Sequence, residues 1–304
     1  MSEPIRFWKY ELMPRARVGL GKGRPRRGAL IRLGMGVADV HPWPELGDAP
    51  LETQLEGLKS GRPTELTKAS LRFATLDGQA RARGVSLFEG LTIPASHFLL
   101  ADDSRQVPQG FDTVKVKLGG AAASDSLRLS QLEDLRLRLD FNAQLDCDAV
   151  ETFLRTLPSD TLARIEFVED PCPYDGAVWK RLKDATGCRL ALDRGVEREG
   201  VDVHIVKPAV QDAFEAIDSI AFAVVTSYLD HPIGQLGAAW VAARLAGQYP
   251  SKVSTRCGLL THVLYENDPF IERMRSAGPL LIAPAGTGIG FDDLIERLPW
   301  ERLR

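Results

Sequence analysis

Six charged side chains close successive β-forming runs: Lys115 and Lys117 in TVKVKLG, Asp140 in LRLRLDFN, Glu169 in RIEFVED, Asp193 in CRLALD and Lys207 in VDVHIVK. Three carboxylates from neighbouring strands, Asp140, Glu169 and Asp193, make an all-oxygen site suited to Mg²⁺, which keeps water or substrate oxygens in its remaining positions. Mg²⁺ on a substrate carboxylate stabilises the enediolate left when the α-proton departs. The base must be uncharged near pH 7, whereas a free lysine titrates near about 10.4. Lys115 and Lys117 are two residues apart, so strand alternation points both to one side. A second ammonium at that spacing, together with the metal, favours neutral Lys117. Lys117 is therefore the expected base, and Lys207 would face it across the substrate to donate a proton or stabilise negative charge. Singly, each position has a plainer reading: a solvated lysine, a helix-capping aspartate, or a turn at Glu169-Asp170-Pro171.

Such a set needs elements that bring strand ends together. From about residue 111, β-rich runs alternate with helical stretches, among them DAVETFLRTL, GAVWKRLKDAT, VQDAFEAIDSI and IGQLGAAWVAARLAG. Strand–helix alternation implies parallel strands with right-handed crossovers. Six or more such units predict an α/β fold, a closed (β/α) barrel whose strand ends converge on one face. Only Arg194 to Gly200 separate two of the strands, so a helix after Asp193 is expected to be missing or vestigial. Residues 1–100 read as irregular, with short apolar runs at Ala29–Leu33 and Phe98–Leu100. Arg15–Arg27 reads as strand–loop–strand with a mobile tip, His41–Asp48 as a second loop, and LETQLEGL and Leu66 to about Arg83 as helices. The GTGIG run lacks the GxGxxG pattern and a later acidic partner, so it reads as a flexible connection rather than a phosphate loop.

Composition sets the limits. The chain has 304 residues, 44% hydrophobic and 26% charged, with a formal net charge of −3. No global basic field favours nucleic acid, and no apolar stretch reaches membrane-spanning length. The N-terminal residues have no apolar secretory core, so the expectation is a cytoplasmic protein acting on a small carboxylate. Cys147, Cys172, Cys188 and Cys257 form no CxxC pair and are expected to be reduced, mostly buried thiols. His204 falls inside a strand, on the face opposite Lys207, and reads as a satisfied interior or interface histidine.

The pieces VKVKLG, LDFN, VEDP, ALD and VKP, in that order, resemble the enolase superfamily in its muconate-lactonizing-enzyme-like branch. The resemblance implies a modified TIM barrel over residues 101–280 and an α+β capping domain over 1–100, completed by roughly 280–304. It gives the lysines and carboxylates the roles just described and Mg²⁺ as cofactor, with Mn²⁺ able to substitute. Asn142 follows as a supporting residue beside the metal, and the loops near Gly19–Arg27 and His41–Asp48 as closing elements. Within the superfamily, the length and the segment TSYLDHPIGQLGAAWVAARL look like the o-succinylbenzoate synthase family. Ser227 and Gly234 match that family's Ser-Ser-x-Glu-Ser-x-x-Gly, while Asp230 stands where Glu is usual. The helix start around Ile233–Gly237 would receive a substrate carboxylate through backbone N–H groups.

There are departures: Asp140-Phe-Asn142-Ala-Gln-Leu for Asp-Ala-Asn-x-x-Trp, and Asp193-Arg-Gly for Asp-Glu-Ser. The resemblance implies a syn dehydration in menaquinone synthesis. Rival activities with the same machinery are an N-succinylamino-acid racemase, a dipeptide epimerase or a cycloisomerase. The Asp-x-Asp typical of dipeptide epimerases is absent between Ser254 and Pro284. A degenerate, non-catalytic barrel is the remaining alternative, and oligomeric state is left open.

Overall fold

The computed structural model describes residues 3–15, 24–100, 106–119, 122–193 and 199–303. Its first layer is an antiparallel sheet made by β1 (Ile5–Leu12), β2 (Arg26–Leu33) and β3 (Gly36–Val40), joined by the short β15 (Glu301–Arg302) in the order β15-β1-β2-β3. Sequence reading missed this meander because β2 is buried on both faces. Its RRGALIRL run shows no polar–apolar alternation. Ala29 and Ile31 pack toward α1 (Leu51–Lys59) and α2 (Glu65–Ala82), while Leu30 joins the core shared with the barrel. Helix α2 starts at Thr64 with a reciprocal capping box to Thr67. The tip of the β1–β2 connection, residues 16–23, lies outside the described residues.

The second body is the barrel. Its strands begin with β4 (Ala95–Ser96) and β5 (Phe98–Leu100), so the first inner strand precedes residue 101. Then follow β6 (Thr113–Lys117), α3 (Ala122–Ser130), β7 (Arg136–Asp140), α4 (Cys147–Thr156), α5 (Ser159–Ala163), β8 (Ile165–Glu169), α6 (Gly176–Thr186) and β9 (Leu190–Asp193). The chain continues through β10 (Val203–Val206), α7 (Ala213–Ala216), β11 (Ala223–Val225), α8 (Pro232–Gln248) and β12 (Arg256–Cys257). Strands β5 to β11 form one parallel seven-stranded sheet in sequence order. Its edges meet through residues 253–258: bridges join Ala223 to Val253 and Thr226 to Gly258, and β12 pairs with β4. Capping explains the sharp helix boundaries. Asp146 caps α4 and Asp175 caps α6, which ends on Gly187 at φ 70°.

Two expectations change and a third is not addressed. The crossover from β9 to β10 is short, but residues 194–198 lie outside the described residues, so the missing helix is not addressed. The helix expected over VQDAFEAIDSI contracts to α7, one turn. The GTGIG segment is no flexible tether. Asp77 on α2 accepts from Ile289 N at 2.6 Å, and Arg81 donates to Gly290 O at 2.9 Å. Gly288 sits so close to Asp77 that no side chain fits. The hairpin of β13 (Arg275–Ala277) and β14 (Leu280–Ile282) precedes this segment, and α9 (Asp292–Arg297) follows it before β15 returns to the first sheet.

Two cysteines also differ from expectation. Cys147 and Cys172 form a disulfide, with Cα atoms 5.3 Å apart. They lie 25 residues apart in sequence, and only the folded adjacency of α4 and the loop after β8 pairs them.

Helix α2 crosses β3 at Gly36, where a Cβ would overlap the Ala74 carbonyl oxygen and stand 2.5 Å from Gly78 N. Both neighbours are backbone and cannot swing away. Gly36→Ala is expected to cost about 3 kcal/mol of stability, read as a lowered Tm in thermal unfolding. An unchanged Tm would disprove this close approach.

Candidate active site

Strand register assembles the charged set. Lys117 on β6 pairs with Asp140 on β7, and Asp140 with Glu169 on β8. Glu169 pairs with Ala191, two residues before Asp193 on β9. Ile205 on β10 pairs with Asp193, two residues before Lys207. With period-two alternation this row of side chains points inward at the carboxyl end of the sheet. All six expected residues are thereby brought to one mouth.

Their contacts are ionic. Lys115 Nζ stands 3.0 Å from Asp140 Oδ2 and 2.6 Å from Glu169 Oε1. Lys117 Nζ is 3.5 Å from Asp140 Oδ2 and donates to Asn142 Oδ1 at 3.3 Å. Lys207 pairs with Asp193 Oδ2. Burial disfavours the Lys115 ammonium, but the charges of Asp140, Glu169 and Asp193 outweigh it, and its pKa rises. Burial also opposes ionised Asp140, yet Lys115 and Lys117 hold it down to about 2. Glu169 is pushed up to about 7 by burial, opposed by Lys115 and assisted by the charges of Asp140 and Asp193. Lys115 thus already bridges two carboxylates.

The carboxylates are not a ready-made cage. Among the described residues no group of three or more His, Cys, Asp or Glu is spaced to hold an ion as it stands. The donor chemistry nonetheless fits a hard cation. Glu169 Oε2 and Asp193 Oδ1 are buried with no hydrogen-bond partner, a costly state for carboxylate oxygens. Asp140, Glu169 and Asp193 are the residues that could hold Mg²⁺.

The rim around them is strained. Asn142, Ala143, Asp170 and Leu229 all have positive φ, at 49°, 52°, 42° and 54°. Each follows a barrel strand, where such strain concentrates at working sites. Asn142 N donates to Asp140 Oδ1 at 3.0 Å, and Asp193 N donates to Asp170 Oδ1 at 3.0 Å. The disulfide ties the start of α4, which follows Asp140, to the loop that follows Glu169.

A cavity of about 100 Å³ opens above, lined by Lys115, Lys117, Asp140, Asn142, Asp193 and Lys207. The first domain roofs it with Trp43 and Leu46 from the second loop. Trp43 Nε1 donates to Tyr228 O at 2.8 Å, and Tyr228 OH donates to Asp48 Oδ2 at 2.8 Å. The Tyr228 ring centre lies 5.8 Å from Lys207 Nζ. Ser227 also lines this cavity, with its hydroxyl 2.6 Å from that of Thr261.

The other expected substrate contacts are placed elsewhere. Asp230 and Gly234 line a separate cavity, and Ile233 is fully buried in apolar core. Ile233 N, expected to be open to an anion, donates to His231 Nδ1 at 3.2 Å. His204, expected to be satisfied, is buried with neither ring nitrogen bonded among the described residues.

Sequence reading also missed what lies beneath the site. Arg138 is 2% exposed and fills the barrel interior one inward position below Asp140. It donates to Glu166 Oε2 at 2.8 Å, Arg256 O at 2.9 Å and Ser254 Oγ at 3.1 Å, and lies 2.9 Å from His97 Nδ1. The alternation of LRLRLD carried the signal, since Arg138 shares its face with Asp140.

A closed parallel barrel with this capping sheet, and acid and lysine residues at its strand ends, is the architecture of the enolase superfamily. A family model described as O-succinylbenzoate synthase, N-terminal domain, matches residues 5–80. An o-succinylbenzoate synthase of Bdellovibrio bacteriovorus is 34% identical over 306 residues, covering 92% of each chain. The chain belongs to the o-succinylbenzoate synthase family. Among solved structures, a dipeptide epimerase from Enterococcus faecalis V583 overlays with a TM-score of 0.75 at 18% identity, covering 95% of this chain and 99% of its own. An enolase-superfamily member from Roseovarius nubinhibens ISM, complexed with magnesium, overlays with a TM-score of 0.70 at 15% identity, covering 99% and 98%. No helix among the described residues is long and apolar enough to cross a membrane.

Replacing Arg138 by Met keeps volume but leaves Glu166, Ser254 and the Arg256 carbonyl without their shared donor. Breaking a buried ionic network from one side costs about 3 kcal/mol or more. The expected result is a clear fall in the denaturation midpoint. A midpoint equal to wild type would show that the barrel interior does not depend on this guanidinium.

Proposed function

We propose that the protein is an o-succinylbenzoate synthase, a carbon–oxygen lyase acting on the succinyl-hydroxycyclohexadiene-carboxylate intermediate of menaquinone synthesis. The observation that supports it most is the single row Lys115, Lys117, Asp140, Glu169, Asp193 and Lys207, in a chain of this family. Asp140, Glu169 and Asp193 are the proposed Mg²⁺ ligands, by analogy with the magnesium complex of a structural neighbour. Mg²⁺, when bound, supplies positive charge against the substrate carboxylate as the α-proton leaves.

The protein's own residues do the rest. Lys117, the most exposed of the three site lysines at 27%, takes the proton from the carbon beside the ring carboxylate. The resulting ammonium then returns that proton to the departing hydroxyl, which leaves as water. One group acting on one face gives a syn elimination, and the ring becomes aromatic. Asn142 orients Lys117 through its 3.3 Å contact. Lys207 holds positive charge against the opposite side of the substrate. Trp43 and Leu46 exclude water from above.

Dehydration followed by product absorbance tests this reading. Lys117→Ala is expected to lose about 10²–10⁴-fold in kcat while still binding Mg²⁺ in isothermal titration. Near-normal turnover would refute Lys117 as the base. Chelation by EDTA should abolish turnover and added Mg²⁺ restore it; an enzyme indifferent to chelation would remove the metal from the proposal.

A further inference from the structure

A second cavity lies apart from the one above the charged row. It has a volume of about 150 Å³ and lies between α2 of the first domain and the barrel segments around α7 and α8. It shares no lining residue with the catalytic cavity. Its walls are apolar and aromatic, with Phe73, Leu76, Phe214 and Trp240 exposed to the space. Phe73 and Phe214 each meet Trp240 edge-on, at 6.2 and 6.0 Å between centroids. A dry cavity of about this size holds one benzene ring.

Its inner end is acidic. Asp39 from β3 and Asp230 from the segment before α8 both line it. The two carboxylates converge on Gly234: a Cβ there would stand 2.5 Å from Asp230 Oδ2 and 2.7 Å from Asp39 Oδ2. Asp39 is fixed by Tyr10 OH at 2.6 Å and by His231 N at 3.1 Å, yet remains only half-buried. Asp230 is 2% exposed, and its Oδ1 has no hydrogen-bond partner. Among the described residues neither carboxylate has an ion-pair partner. The nearest arginine on the rim, Arg72, faces Asp212 at 3.6 Å. Burial lifts Asp230 to about 7, and burial with Asp230's charge lifts Asp39 well above the usual carboxylate range. Ionising both acids side by side without a cation is costly, so the pair sheds charge by taking up a proton, and a cation entering between them favours the ionised form.

We propose that this cavity is a second ligand site, which takes a small molecule with a ring-sized apolar body and a primary ammonium head. The ring occupies the space between Phe73, Leu76 and Trp240, and the ammonium reaches Asp39, with Asp230 behind it. The ammonium supplies the positive charge the pair lacks, and the aromatic walls favour a cation as well as a ring. One acid comes from the first domain and the other from the barrel, so the ligand bridges the two.

The probe is 2-phenylethylamine, with 2-phenylethanol as its uncharged counterpart, titrated into the Mg²⁺-loaded protein by calorimetry. The amine is expected to bind saturably and the alcohol at least about thirtyfold more weakly, the loss that removing one member of a buried charge pair brings. Asp39→Asn removes the charge but keeps the shape, and Tyr10 OH can turn to His41 Nδ1, 2.8 Å away. It should weaken amine binding by a similar factor. Leu76→Trp, which fills the ring space without touching charge, should abolish it even if Asp39→Asn does not fold. Equal binding of amine and alcohol, no saturation by the amine, or wild-type affinity in Leu76→Trp would each overturn the proposal. None of these readouts depends on turnover, so the proposed dehydration stands or falls separately.

Discussion

Mutual repulsion among three inward carboxylates is the constraint around which the barrel mouth is built. Asp140 and Glu169 are nearly fully buried, where unpaired negative charge is prohibitively costly. Lys115 offsets it by standing between them, at 3.0 and 2.6 Å, and Lys207 offsets Asp193. The balance is incomplete, as the orphaned oxygens of Glu169 and Asp193 show. A site in this state is preorganised for added positive charge: its repulsion has already been met by folding, and a cation entering it relieves that cost.

Holding such a cluster requires support that the cluster cannot give itself. Below, Arg138 replaces the branched apolar side chains that usually fill a barrel and is fixed by acceptors from two segments, β8 and residues 254–256. At the rim, left-handed backbone at Asn142 and Asp170 turns the chain after the strands that end in Asp140 and Glu169. The turn lets Asn142 reach Lys117. Asp170, itself raised to about 8 chiefly by burial and next by the charge of Glu169, is anchored by Asp193 N. Above, Trp43, Tyr228 and Asp48 hydrogen-bond across the domain junction, so the roof of the cavity is fastened to the loop after β11.

The barrel was legible because parallel strands and amphipathic helices write different periods. GAVWKRLKDAT is a helix over the residues read for it, and TVKVK, RLRLD and VHIV are strands. The charged row was legible for the same reason: each member ends a strand, and strand ends in a barrel share one face. The first domain was less so, because its central strand is covered on both sides and Gly28 gives up its side chain to the Tyr10 ring. Contacts made only by tertiary adjacency left no local trace. Cys147 and Cys172 belong here, as do the Asp77–Arg81 clasp on the glycine-rich tail and the Asp39–Asp230 pair. The helix start at Ile233 misled for a specific reason: the residue before the helix, His231, supplies its own acceptor to the N–H that looked free.

The segment from Thr226 to Gly234 explains how one stretch of chain serves two cavities. Thr226, Ser227, Tyr228 and Leu229 line the cavity of Lys115, Lys117 and Lys207, whereas Asp230 and Gly234 line the one at the junction with α2. The change of side occurs next to Leu229, whose φ is 54° and whose carbonyl is held by Tyr265 OH at 2.6 Å. A β-branched or bulky residue at such a φ is sterically costly, so this turn persists only because its surroundings fix it. This turn forms part of the wall between the two cavities, together with Lys207-Pro208 and His41–Trp43, and is held from the first domain by Trp43 on one side and by Tyr10 through Asp39 on the other. A movement of the first domain relative to the barrel would reach both cavities through these hydrogen bonds, and the second also through the Arg72–Asp212 pair.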